Sequence, residues 1–313
     1  MLHSTRQQSI QSNLRLGLLI LVFGLQPFQQ AWSDAKTLEQ YAPLITSKND
    51  KIPFKRIVSL APHITEMLFS AGAGDKVVGV VSYSDYPQAA LQIDNVGSYH
   101  STNIEKIIQL NADLVIAWKS GNRPQDIKRL QQLGLKVIFS EPRMLKDIPA
   151  EIRSLGRQLG TQKVADNTAD QLEQQLNVLQ DTYQNRPSVS AYYQIWNKPM
   201  MTINGQQFIS QALQICGAQN IFSDLPTLTP EVDIESVIHQ NPSVIFLGGQ
   251  KSMQPSWLAE WQNWKNIHAV REQYIFPLEI DIFQRPTERF IKGIESLCQK
   301  VELVRAAQRV TKN

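Results

Sequence analysis

An α/β fold of two lobes follows from three features of this 313-residue chain. Short β-branched runs alternate with helix-spaced apolar residues. One helix-spaced stretch is far longer than the others. A pattern in the first half also returns in the second. Composition agrees: 42% hydrophobic and 19% charged residues suit sizeable cores, and the length suits two domains. Lys and Arg number 31 against 28 Asp and Glu, a net charge of +3, which gives no concentrated basic face for a nucleic-acid partner. Two cysteines cannot build a cysteine-rich zinc module.

The first 33 residues read as an address. Arg6 and Arg15 stand in a segment without acids, residues 16–25 are apolar, and Ala31-Trp32-Ser33 offers small residues for cleavage before Asp34. That order is a secretory signal peptide. As a helix, ten residues span about 15 Å, half of a ~30 Å hydrocarbon core, so a membrane anchor is disfavoured. No cysteine adjoins the cleavage point to carry a lipid. The expectation is release into the periplasm, with residues 34–55 as a polar lead-in.

Residues 56–160 are expected to form the first lobe. Strands are expected at 56–61, 77–81, 113–118 and 136–140, with continuous apolar character. Between them, Ile64, Met67, Leu68 and Ala71 mark a helix face that stops at Gly72 and Gly74. Asn103 can cap a helix over 103–111. Further helices are expected around 127–133, closed by Gly134, and over 147–160. Strand–helix–strand alternation with apolar strands implies parallel sheets covered on both faces.

Residues 161–186 are expected to link the lobes. Ala165, Ala169, Leu172, Leu176, Leu179 and Tyr183 recur every three or four residues, a helix of about 35 Å that Pro187 ends. Alternation resumes over 187–313, with strands at 189–196, 244–247 and 274–277. Helices are expected at 209–216, 234–240 and 288–305. The second lobe also repeats the first. Ile104-Glu105-Lys106-Ile107-Ile108 and Ile234-Glu235-Ser236-Val237-Ile238 both precede a strand, 130 residues apart. The whole reads as two Rossmann-like lobes with parallel sheets, joined by a single long backbone helix.

Cys216 and Cys298 both survive cleavage. In an oxidising compartment they permit one intramolecular pairing, with two buried free thiols as the alternative. Export favours the disulfide, which stabilises by about 4 kcal/mol in the chain-entropy treatment.

Catalytic signatures are missing. There is no GxSxG elbow, no HExxH and no phosphate loop, because Gly72-Ala73-Gly74 ends a helix rather than opening one. His63, in a strand-to-helix turn, is the one histidine at a typical ligand position of an α/β lobe. A helix-cap or solvent position weighs more heavily for it than ligand contact. An exported two-lobe chain without catalytic machinery points to a binding protein rather than an enzyme, with no cofactor of its own.

Residues 82–87 (Ser-Tyr-Ser-Asp-Tyr-Pro), 113–118 (Asp-Leu-Val-Ile-Ala-Trp), 216–222 (Cys-Gly-Ala-Gln-Asn-Ile-Phe) and the helix around Cys298 resemble the periplasmic vitamin B12 (cobalamin)-binding proteins of bacterial ABC importers. The resemblance runs from about Arg56 to Lys300. It implies a bilobed fold gripping a corrinoid between the lobes, a monomer, and delivery to permease subunits at the inner membrane. The family's ligand-contacting positions fall on Tyr83, Tyr99, Trp118, Met201, Thr229, Asp281 and Arg285, with His63 at the turn. Aromatic faces suit the corrin disc, while Asp and Arg suit its amide and phosphate fringe. Tyr99, Met201 and Thr229 stand where larger aromatics are known in the family, which implies a looser pocket. Pro286 disfavours helix at Arg285, so a loop is expected to present Asp281 and Arg285 to the cleft. The resemblance also makes Glu105 and Glu235 the transporter-docking acids. Runners-up are a haem or ferric-siderophore binder of the same fold, with His63 or Tyr99 as an iron ligand, and a secreted enzyme.

Overall fold

Two parallel sheets, each covered by helices on both faces, carry the chain. The computed structural model describes residues 54–98 and 100–310. The signal-peptide reading, Tyr99 and most of the lead-in lie outside these residues. The first half contains β1 (Ile57–Ser59), α1 (Pro62–Ser70), β2 (Val77–Val80), β3 (Asp94–Asn95), β4 (Gly97–Ser98), β5 (Ser101–Thr102), α2 (Ile104–Gln109), β6 (Leu114–Trp118), α3 (Pro124–Gln132), β7 (Lys136–Ser140) and α4 (Asp147–Leu159). After α5 (Gln162–Tyr183) come β8 (Val189–Gln194), α6 (Phe208–Ile215), β9 (Ala218–Asn220), α7 (Ile234–Gln240) and β10 (Val244–Leu247). The chain continues through α8 (Gln254–Trp261), α9 (His268–Arg271), β11 (Ile275–Pro277), α10 (Ile280–Phe283) and α11 (Glu288–Val310).

The first sheet has the order β3-β2-β1-β6-β7 and the second β11-β10-β8-β9. Every pairing in both is parallel. β1 and β10 are buried along their whole length, as their unbroken apolar sequences require of strands covered on two sides. One hydrophobic core runs from Ile57 and Leu68 through Leu155 and Leu172 to Phe246 and Leu297. It therefore passes from the first sheet, across α5, to the second. Separate clusters cover the outer sheet faces, around Val58, Ile107 and Val115 in one and around Tyr192, Ile245 and Trp261 in the other.

The linking helix is no bare strut. A Cβ on Gly156 would lie 2.1 Å from the Ala165 Cβ, so α4 and α5 are in near-backbone contact. Gly72, at φ +76°, lies against Val164 in the same way. Gly72 also ends α1 as expected: its left-handed backbone caps the helix after Ser70, with the Gly72 N–H donating to the Phe69 carbonyl and the Ala73 N–H to the Leu68 carbonyl, each at 2.9 Å.

Other boundaries also move. β8 ends at Gln194 rather than residue 196, because Ile195 and Trp196 leave the sheet to bond with Met201. α11 continues to Val310 rather than stopping at 305. The sequence reading lacks β3, β4, β5, β9, α8, α9 and α10. These are short, and β9 owes its existence to pairing with β8.

Cys216, at the end of α6, and Cys298, on α11, are joined as a disulfide, and both are fully buried. Among the described residues no helix is long and apolar enough to cross a membrane.

Candidate functional site

Parallel α/β sheets place their ligand crevices at the carboxyl ends of the strands. The expected site residues, Tyr99 apart, fall on several different elements.

Trp118 is the last residue of β6. Its backbone N–H donates to Asn122 Oδ1 at 2.6 Å, and Asn122 Nδ2 donates in turn to the Leu60 carbonyl at 2.9 Å. The indole lies directly over Gly121, where a Cβ would come within 1.9 Å of the ring. Any larger residue at 121 would displace it. The ring is partly buried, packed against the core on one side.

His63 stands edge-on to that indole, with ring centroids 5.4 Å apart. The structure corrects the cap or solvent expectation. Ala61 is the N-cap, Pro62 opens α1, and His63 is only 6% exposed. Its Nε2 finds no hydrogen-bond partner. Burial, aided by the nearby Arg285 charge, pushes its pKa down to about 3, so the imidazole is neutral at ordinary pH.

Tyr83, in the loop after β2, is 74% exposed and holds φ +68°. A left-handed backbone is costly for an aromatic residue and is characteristic of functional loops. Tyr86, nearby, stacks under the Arg289 guanidinium at 4.0 Å.

In the second half, Met201 bridges the backbones of Trp196 and Glu231. Thr229 is exposed in the following loop. Sequence reasoning missed Trp196, which is 40% exposed, donates from Nε1 to the Lys198 carbonyl at 3.1 Å and meets Trp257 edge-on. Its signal was available. It follows the end of β8 much as Trp118 ends β6.

Asp281 departs from the loop expectation, whereas Arg285 meets it. Asp281 sits in the short helix α10, and Arg285, just beyond it, forms the i,i+4 ion pair at 2.9 Å. Arg285 also reaches into the first half, to Asp85 at 2.6 Å and Glu66 at 3.1 Å. Burial alone raises the Asp85 pKa, but the Arg285 guanidinium outweighs it and holds the carboxyl below its usual range. The proline at 286 does not prevent the pair, because the helix has already ended at Phe283. Sequence reasoning also missed Glu66 and Arg289; nothing local marks a partner more than 200 residues away.

Glu105 and Glu235 are both exposed in the first turns of α2 and α7. Each helix is capped alike. Asn103 accepts from the Lys106 N–H at 2.9 Å and Asp233 from the Ser236 N–H at 2.7 Å. Beside Glu235 lies a groove of about 520 Å³ walled by Phe222, Leu225, Asp233 and His239 among others, all from residues 221–240.

Two all-parallel α/β sheets are bridged by a helix and carry aromatics at or just beyond their strand ends. The chain belongs to the periplasmic binding protein family, whose pattern matches residues 57–280. It is 34% identical over 264 residues to the vitamin B12-binding protein of Vibrio vulnificus (strain CMCP6), across 84% of this chain and 96% of that one. The crystal structure of the periplasmic vitamin B12 binding protein BtuF of Vibrio cholerae has a TM-score of 0.72 to it at 34% identity, over 80% of this chain and 98% of the other. The apo periplasmic heme-binding protein RhuT of Roseiflexus sp. RS-1 shares the fold, with a TM-score of 0.71 at 22% identity over 81% and 100% of the two chains.

Proposed function

We propose that this protein captures a corrinoid, vitamin B12 or a close variant, between its two lobes in the periplasm and delivers it to an inner-membrane ABC transporter. The domain scheme of a cleaved leader (1–33), lead-in (34–55), two lobes (56–160 and 187–313) and linking helix (161–186) belongs to this reading, as does a monomeric state. The observation that carries it is the indole of Trp118 at the end of β6, with the exposed Tyr83 ring on the loop after β2 of the same sheet. Flat aromatic faces of this kind suit a corrin disc. The relatives named above support it.

Calorimetric titration with cyanocobalamin, cobinamide and haemin, side by side, tests the reading. A corrinoid should bind at about 1:1, and Trp118→Ala should weaken binding by roughly 1–3 kcal/mol, the usual cost of truncating an aromatic anchor. Unchanged affinity in a folded Trp118→Ala protein removes that residue from the site. Haem is less favoured because the heme-binding relative is 22% identical, against 34% for the vitamin B12-binding proteins. A ferric siderophore calls for several converging cations, whereas Arg289 is held by the buried Glu66 and only Arg285 has exposed partners that a ligand could replace.

Glu105 and Glu235 are the proposed docking charges, each meeting a basic group on the permease. Their matching position in two equally capped helices supports this, although first-turn acids are also favoured by the helix dipole alone. Charges at the rim of an interface act on association and salt dependence more than on folding. Glu105→Ala combined with Glu235→Ala should leave corrinoid affinity and Tm nearly unchanged while reducing permease binding and uptake. Full transport by that double variant at physiological salt would leave only the dipole explanation.

A further inference from the structure

One buried carboxylate ties the two halves together. The Glu66 side chain, on α1, is only 2% exposed. Arg289 grips it with two hydrogen bonds, Nε to Oε2 at 2.9 Å and Nη2 to Oε1 at 2.6 Å. Arg285 Nη1 donates to the same Oε1 at 3.1 Å. Both arginines come from the far end of the chain. The first half also supplies Asp85 to Arg285 and the Tyr86 ring to Arg289. Without Glu66 the two guanidinium groups would face each other with no charge between them.

The partners of Arg285 are not equivalent. The Asp85 and Asp281 side chains are 45% and 56% exposed, whereas Glu66 is closed off from water. Exposed ion pairs are worth little and exchange readily, since water solvates the released charge. Breaking a buried pair strands a charge and is strongly resisted. An acceptor on a bound ligand can therefore replace Asp85 or Asp281 on Arg285 while Glu66 keeps the guanidinium in place.

We propose that Glu66 is a positioning residue of the cleft: out of reach of the ligand, it fixes where Arg285 stands and how far apart the strand-end loops of the two lobes are held. The affinity half of this proposal rests on the corrinoid reading; the spacing half does not.

Cyanocobalamin titration of the wild type, Glu66→Gln, Arg285→Ala and the double variant tests the first half. Glu66→Gln should weaken binding at least about tenfold in the wild-type background and less than about twofold once Arg285 is gone, the coupling expected of a residue acting through another. Equal losses in both backgrounds, or no loss in the first, overturn the positioning role. If Glu66→Gln does not fold, Glu66→Asp replaces it under the same criteria. The spacing half is read in ligand-free protein from the pulsed-EPR distance between nitroxides on introduced cysteines at the exposed positions Lys128 and Gln262. Glu66→Gln should broaden that distribution, and an unchanged distribution overturns the proposal. A wild type that binds no corrinoid overturns the preceding reading instead, and the distance measurement then decides this one alone.

Discussion

Replacing Cys216 and Cys298 by serine should lower stability by about 4 kcal/mol and Tm by roughly 8–15 °C. The disulfide spans a sequence separation of 82 residues and restricts the unfolded chain correspondingly. Both sulfurs lie in the continuous core, between α6 and α11, so serine hydroxyls there would also be buried polar groups. Calorimetry of the double serine variant measures the loss. Thiol titration of denatured, unreduced protein from the periplasm should find no free thiol, and two free thiols there would refute the pairing in the exported protein.

Arg305→Ala should be comparably damaging, at about 3–5 kcal/mol. This arginine, on α11, is only 1% exposed. Its guanidinium donates to the carbonyls of Pro187 and Cys216, each at 2.7 Å, and of Gly217 at 3.1 Å, and it pairs with Glu302. Glu302 also holds Arg186 at 2.8 Å, so one cluster pins the end of the linking-helix segment to the C-terminal helix. Truncation leaves those carbonyls unsatisfied in the interior, the costly side of hydrogen-bond energetics. Denaturant unfolding measures it, and a loss below about 1 kcal/mol would show that water repairs the site. Because Arg305 bonds the Cys216 carbonyl, its loss and that of the disulfide should not add.

Much of the fold is legible in the residues themselves. The short apolar runs at Leu114–Trp118 and Val244–Leu247, between turn residues, read as strands buried on both faces, and the repeated spacing from Ala165 to Tyr183 reads as one long helix. Asn103 and Asp233 announce their helices because a cap acts on an N–H three residues away. Such signals are local, so sequence carries them whole. Resemblance, not local pattern, singles out Trp118 and Tyr83 for the proposed site; the structure places the first at the end of β6 and the second in the loop after β2.

What needed the tertiary structure is whatever depends on residues distant in the chain. β9 pairs only because β8 lies beside it. His63 looks solvent-facing in its turn, yet Trp118 and the surrounding core enclose it. Glu66 looks like an ordinary polar residue on an amphipathic helix, and its two arginines lie 219 and 223 residues further on. Periodicity reports which face of an element is apolar. It cannot report which charge from another lobe will meet that face, because the pairing energy exists only once folding has brought the two together and excluded water between them.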